Sequence, residues 1–206
     1  MKIVYDMYSI EAEGQKAGLP TLFIEFFGCN SRCPYCTRQD DEYKEMSPDA
    51  LLQLCLLKNI RHVYLDCGEP LLQSHEELLR FITCLIEEGF SPTLQTNGFK
   101  RLDRFVSVEG LTIFLFVRPG ITALSNLNLL RKTDQVKFVV TNAKEYHEAI
   151  AIIQKHKPAC PVYLFPHPRY GNEKTLYNYF LQDAEKDRDL QDVRMTLLEN
   201  LYIGLD

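Results

Sequence analysis

Short runs of β-branched and aromatic residues alternate along this chain with longer stretches whose apolar positions recur at helical spacing. Residues 22–26, 63–65, 92–94, 111–117, 136–140 and 162–165 have the length and composition of buried strands. Helices are expected between them. In HEELLRFITCLIEEG the residues Leu78, Leu79, Ile82, Leu85 and Ile86 fall on one stripe closed by Gly89, and in AKEYHEAIAIIQKH the stripe is Tyr146, Ala149, Ile150 and Ile153. The Ser47-Pro48 pair marks a further start, Ser as cap and Pro in the first turn. Segment 173–191, rich in Asp and Lys, reads as a solvated helix or a mobile cover.

Strands that alternate with helices imply a parallel sheet with right-handed crossovers. About six repeats predict an α/β fold of incomplete (β/α)6 barrel type, since a closed eightfold barrel takes about 250 residues. The 206 residues suit one domain spanning 1–206. In such sheets the chemistry lies at the C-terminal strand ends.

Composition narrows the classes of function. The net charge of -5 is mild and the Lys and Arg residues are dispersed, so no nucleic-acid footprint is indicated and a small-molecule substrate is expected. The opening MKIVYDMYSIEAEG lacks a basic-then-apolar leader, and no apolar run reaches about 18 residues, which points to a cytoplasmic protein without a membrane segment. Seven cysteines, three of them within eight residues, suit a metal site in a reducing compartment better than disulfides.

Those three carry the candidate chemistry. The strand LFIEFF runs into GCNSRCPYC and sets Cys29, Cys33 and Cys36 in the loop after the first of the expected strands. Three thiolates without a neighbouring fourth leave one iron of a four-iron, four-sulfur (4Fe-4S) cubane open to a chelating ligand. The amino and carboxylate groups of S-adenosylmethionine (SAM) can take that position, and reductive cleavage then yields a 5'-deoxyadenosyl radical. Structural zinc is the competing reading, with His62 as a possible fourth ligand. Cys55, Cys84 and Cys160 sit in or beside apolar runs and read as packing.

The motif CNSRCPYC, with Tyr35 before its last cysteine, and the segment LDCGEP resemble the radical SAM superfamily. The resemblance implies that Cys67, Gly68 and Glu69 bind SAM, Cys67 standing where the family has a first glycine. A longer series, YSIEAEGQKAGLPTLFIEFFGCNSRCPYC, CGEPLLQ, LQTNG, VKFVV and VYLFP, resembles the 7-carboxy-7-deazaguanine synthase family in order and over most of the chain. That family contracts the ring of 6-carboxy-5,6,7,8-tetrahydropterin in the making of the queuosine precursor, using SAM, the cluster and magnesium.

What the resemblance implies for this chain is a lyase with Tyr35, Thr96, Asn97 and Arg118 on the SAM side, Thr37 on magnesium, and Glu11, Glu13, Gly14 and Glu25 on the substrate side. It also implies an electron donor such as flavodoxin and a homodimer. His167 and Arg169, in FPHPRYGN, are further candidates for the adenine or the substrate. Departures from the family pattern gather on the substrate side: Glu25 in place of Arg, Thr37-Arg38 in place of Asp-Thr, Gln95 in place of Glu, and FLFVRPG in place of a Ser-Pro-Lys segment. A relative with a changed substrate, or an activase that abstracts hydrogen from a glycine of a partner protein, are the alternatives.

Overall fold

The computed structural model describes residues 1–36, 42–170 and 172–196, and of Arg169 the backbone alone. Its strands are β1 (Lys2–Ile10), β2 (Pro20–Phe26), β3 (Lys44–Glu45), β4 (His62–Asp66), β5 (Ser91–Thr96), β6 (Thr112–Val117), β7 (Gln135–Val140), β8 (Val162–Pro166) and β9 (Arg194–Met195). They form one sheet in the order β3-β1-β2-β4-β5-β6-β7-β8-β9. From β2 to β9 every pairing is parallel, whereas β1 and β3 lie antiparallel at the β2 edge. The expected parallel α/β sheet is present, as an incomplete barrel of six full-length parallel strands with short or antiparallel additions at both edges.

The α-helices are α1 (Pro48–Leu57), α2 (His75–Glu87), α3 (Ala143–His156) and α4 (Glu173–Lys186). Their starts follow from capping chemistry: Ser47 Oγ accepts from Ala50 N at 3.1 Å and Asn142 Oδ1 from Glu145 N at 3.0 Å. At the end of α2, Gly89 adopts φ 83° and lets Phe90 N donate to Leu85 O at 2.9 Å. Segment 173–191 begins as α4 and continues into a 3-10 turn, Arg188–Leu190, with Leu176 and Leu190 buried.

Two crossovers differ from the expected alternation. Neither the β5–β6 nor the β6–β7 connection contains an α-helix; the second holds only a 3-10 segment, Leu124–Leu129. Gly98, Gly110 and Gly120 all take positive φ in these stretches and interrupt helical periodicity. Side chains replace the missing helical ladder: buried Asn126 donates to Gly98 O (2.9 Å) and Lys100 O (2.7 Å), and buried Asp134 accepts from Ile113 N at 2.9 Å. Strand β1 is likewise outside the predicted set, because KIVYDMYSI mixes apolar and polar residues on both faces.

The sheet separates two interiors by the period-2 alternation of its side chains. Leu22, Ile24, Phe26, Val63, Leu65, Ile113, Leu115, Val136, Phe138 and Leu164 join the large core under the helices. Tyr64, Phe114 and Tyr163, with Phe23, form a small second cluster on the other face. That face is the lumen, and the polar residues of the strands open onto it.

Candidate active site

The cysteine loop is fixed to the loop after β4 by backbone contacts. Phe26 N donates to Cys67 O at 3.2 Å, and Glu69 N to Gly28 O at 2.8 Å. Gly68, at φ 63°, lies between them; a Cβ there would stand 2.3 Å from Phe26 O and 2.5 Å from Gly28 O. Only glycine fits this crossing. Cys67 beside it holds φ 49°, a left-handed conformation that costs a non-glycine residue roughly 1–2 kcal/mol.

Glu69 is fully buried and bonded on both oxygens. Its Oε1 accepts from Leu71 N (3.0 Å) and Thr96 Oγ1 (2.8 Å), its Oε2 from Asn97 N (2.8 Å). Burial raises the pKa of this carboxyl, and the bonds from Asn97, Thr96 and Leu71 oppose the shift. Glu69 therefore ties the end of β4 to the end of β5 and positions its neighbours; it does not open onto the cavity below.

That cavity, of about 270 Å³, is lined by Cys29, Cys33, Cys36, Tyr35, Cys67 and Asn97, with Gly68, Thr96, Asp66, Gln95 and Phe116 also on its wall. Asn97 Nδ2 donates to Asn30 Oδ1 at 2.8 Å and lies 3.7 Å from Cys29 Sγ. Buried Arg118 reaches the loop from β6 and donates to Ser31 Oγ, between the first two cysteines. Tyr35 stacks on His167, ring centroids 4.3 Å apart. Among the described residues its buried hydroxyl has no partner beyond the neighbouring Cys33 sulfur, and burial, with that sulfur, raises its pKa. Burial also holds the Cys29 thiol above its ordinary range.

A cubane fits this mouth on the chemistry of the donors: three thiols outside any disulfide, from one loop, share a cavity with an orphaned hydroxyl. His62, the fourth ligand of the zinc reading, lies at the opposite end of the sheet. It begins β4 and pairs with Thr21, whereas the cysteines follow the far end of β2. Among the described residues no group of three His, Cys, Asp or Glu is placed to hold a single metal ion. Cys55 and Cys160 are buried and Cys84 is partly buried in α2. Thr37 and Arg38 lie outside the described residues.

A second cavity, of about 250 Å³, lies below the first, and Asp66 and Gln95 line both. Its lower end is closed by the loop joining β1 to β2. Gly14 (φ 74°) packs on the Gln135 side chain, Gln15 N donates to Gln135 Oε1 at 2.8 Å, and Lys16 Nζ donates to Ser91 O and Thr93 Oγ1 at 3.0 Å each. Gly14 thus serves the loop's seating and does not line the cavity, unlike Glu11, Glu13 and Glu25, which do.

The wall carries a chain of polar contacts. Tyr64 OH donates to Gln95 Oε1 at 2.9 Å, and Gln95 Nε2 donates to Asp66 Oδ1 at 2.5 Å. A Glu at 95 would set two carboxylates against each other, so the amide is what Asp66 requires. Burial raises the pKa of Asp66. Burial likewise pushes Glu11 up to about 8, with the neighbouring Glu13 and Asp66 carboxylates adding to it, and leaves its Oε2 without a partner. Lys137, 5% exposed, forms an ion pair with Glu13 and lies against the rings of Phe114, Phe116 and Phe165 at 5.4, 4.7 and 5.1 Å. Lys137, Asp66 and Tyr64 are absent from the sequence-based candidates. The one signal was a lysine at the center of a strand otherwise apolar on both sides, QVKFVV.

Residues 25–163 match the model of the Radical SAM superfamily. A 7-carboxy-7-deazaguanine synthase of Methanospirillum hungatei is 32% identical over 100% of this chain and 86% of its own length. One of Clostridium acetobutylicum is 28% identical, covering 95% of this chain and 92% of its own. In fold, the crystal structure of QueE from Escherichia coli superposes with a TM-score of 0.72 at 16% identity, covering 94% of this chain and 92% of that one.

Proposed function

The chain belongs to the radical SAM superfamily and, within it, to the 7-carboxy-7-deazaguanine synthases, and from that premise we propose that it converts 6-carboxy-5,6,7,8-tetrahydropterin to 7-carboxy-7-deazaguanine in the lumen of its barrel. The observation that carries the reading is that the two cavities adjoin, Asp66 and Gln95 lining both. A 4Fe-4S cluster held by Cys29, Cys33 and Cys36 would, with SAM bound beside it, supply a 5'-deoxyadenosyl radical to a substrate in the adjoining lower cavity.

The protein's own residues do the rest. Cys29, Cys33 and Cys36 anchor the cluster, and Gly68 with Glu69 holds their loop against the sheet. Arg118, Asn97, Thr96, Tyr35 and Cys67 surround the space for SAM; a buried guanidinium with a single hydroxyl partner suits its carboxylate. In the lower cavity, Glu11, Asp66 and Gln95 present acceptors to the amino-bearing edge of a pterin, and Tyr64 holds Gln95 in orientation. Phe23 and Phe116 exclude water.

The same reading brings in a one-electron donor such as flavodoxin, a magnesium ion at Thr37, a homodimer and a cytoplasmic setting. No helix among the described residues is long and apolar enough to cross a membrane. The test is anaerobic incubation of the reconstituted, reduced enzyme with SAM and 6-carboxytetrahydropterin, followed by mass spectrometry. The expected product is 7-carboxy-7-deazaguanine, with 5'-deoxyadenosine accumulating only where SAM is consumed and not regenerated. SAM cleavage without the deazapurine would leave a radical SAM enzyme with a different substrate, to which the acidic lining of Glu11, Glu13, Glu25 and Asp66 would then point as one rich in amino groups.

A further inference from the structure

The lower cavity contains four carboxyl side chains, from Glu11, Glu13, Glu25 and Asp66, and Lys137 is its sole cation among the described lining residues. An ammonium 5% exposed is stable only against an anion or aromatic faces, and Lys137 has both. The two partners are not equally fixed. Phe114, Phe116 and Phe165 belong to β6 and β8 on either side of β7, so the aromatic seat of the ammonium is part of the sheet. Glu13, by contrast, comes from the β1–β2 loop, makes no capping bond to the 3-10 turn that follows it, and has Lys137 as the one partner of its carboxylate. Its side chain is 23% exposed. Among the described residues it can turn away without breaking another hydrogen bond or ion pair of its carboxylate.

We propose that Lys137 reads the carboxylate of the substrate, and that Glu13 occupies its place until the substrate arrives. The inference rests on the carboxypterin reading above and adds to it the residue that selects for the acid group. Glu25, on β2, adds negative charge to the same wall, so an acidic ligand has one station in this cavity where it is attracted. A second polar group serves the heterocycle: among the described residues Glu11 Oε2 is buried and unpartnered in the same cavity, an acceptor or donor for its polar edge. A ligand held with its acid group on Lys137 has Glu11, Asp66 and Gln95 in the same cavity for its amino-bearing edge. On release, Glu13 returns, which prevents an unpaired buried ammonium in the empty enzyme.

The experiment compares 6-carboxypterin with pterin, which lacks the carboxylate, as ligands of the SAM-loaded, reconstituted protein, by titration of the pterin fluorescence. Wild type should prefer the carboxylated ligand by roughly tenfold or more, as a charge-assisted pair implies. In Lys137→Met that preference should vanish, with pterin affinity held within about twofold; a lysine that merely supported the fold would weaken both ligands alike. Glu13→Gln removes the competitor and should tighten 6-carboxypterin binding about threefold or more without strengthening pterin. Absence of a preference in wild type, equal weakening of both ligands in Lys137→Met, or unchanged or weaker 6-carboxypterin binding by Glu13→Gln would overturn the proposal. If Lys137→Met does not fold, the wild-type preference and Glu13→Gln decide it. Product formation separates this from the reading beneath it. An enzyme that makes the deazapurine but shows no carboxylate preference refutes the role of Lys137 alone, and one with the preference but no deazapurine refutes the reaction alone.

Discussion

The two halves of the lumen are built on different principles. At the upper end the parts that matter are held through backbone: Cys67 O, Gly28 O and Phe26 N join two loops, and Glu69 spends both oxygens on a hydroxyl and two amides of neighbouring segments. At the lower end the wall is made of side-chain charges in mutual balance: Lys137 with Glu13, Asp66 with Gln95, Glu11 with nothing on one oxygen. Backbone contacts tolerate a change of side chain, and Cys67 in the place of glycine is an instance. Charge balances do not: a Glu at 95 would set a second carboxylate against Asp66. Of the departures from the family pattern, Glu25 lies in the lower half, Gln95 lines both cavities, and Cys67 and Arg118 belong to the upper end.

The sharpest break is at the upper end. Cys33→Ala removes one of three thiolates from the mouth and should abolish both iron–sulfur content and SAM cleavage, read by iron and sulfide analysis and by 5'-deoxyadenosine formation. Cys160→Ala, buried at the far side near the start of β8, should leave both intact. Equal losses in the two variants would dissolve the distinction between ligand and packing cysteines.

Gly68→Val should be nearly as severe, and for a reason the sequence did not disclose. LDCGEP suggests that a bulky residue there acts on SAM alone. The added Cβ would instead meet the backbone that leads into Cys29, so the cysteine loop itself must move. Cluster incorporation should fall along with SAM affinity. A variant that kept a full complement of iron and lost only SAM binding would show that the two loops are not coupled as the contacts indicate.

In the lower half the largest measurable effect is a pH slope. Glu11 titrates in the folded protein near 8, against an ordinary value of 4.5. A raised folded pKa means that its contribution is fully present below the unfolded value and is lost as pH rises through the folded one. Between about pH 5 and 7.5 wild type without ligand should lose stability on the order of a few kcal/mol, and Glu11→Gln should flatten that slope. Lys16, lowered by burial to about 8, acts in the opposite sense only above that pH, while His62, lowered by burial, and the Asp66 and Glu69 carboxyls, raised by burial, act within the window in both proteins, so Glu11 is read from the difference between the two slopes. Parallel slopes for wild type and Glu11→Gln in denaturant titrations would mean that the carboxyl is hydrated in solution.

What was legible in the sequence follows the same divide. The six parallel strands and three of the four helices were readable because burial on one face imposes a period, and the cysteine loop because ligand spacing is local. The helix-free crossovers were not, since Asn126 and Asp134 hold them through contacts with segments distant in sequence. Neither was the lumen. Asp66, Gln95, Tyr64 and Lys137 come from three strands and meet only once the sheet curves, and Glu13 joins them from the loop at its lower end. Glu69 had a recognizable motif but an unforeseen role, because a motif does not say which way a carboxylate faces.

The smallest expected effect tests whether the upper half is indeed governed by backbone. Cys67 holds a left-handed φ of 49° that disfavours any side chain, and its thiol lines the cavity with the three presumed cluster ligands. If its place is set by the carbonyl that receives Phe26 N, then Cys67→Gly keeps the contact and relieves the strain. The gain of roughly 1–2 kcal/mol is partly offset by about 0.4–1 kcal/mol from the greater freedom of glycine in the unfolded chain. A rise in Tm of about 1–4 °C should follow for a chain of this size, with iron content and SAM affinity unchanged. A fall in stability, or loss of SAM binding, would show instead that the thiol itself is needed at this site, and that one position of the upper half is held by its side chain like those below.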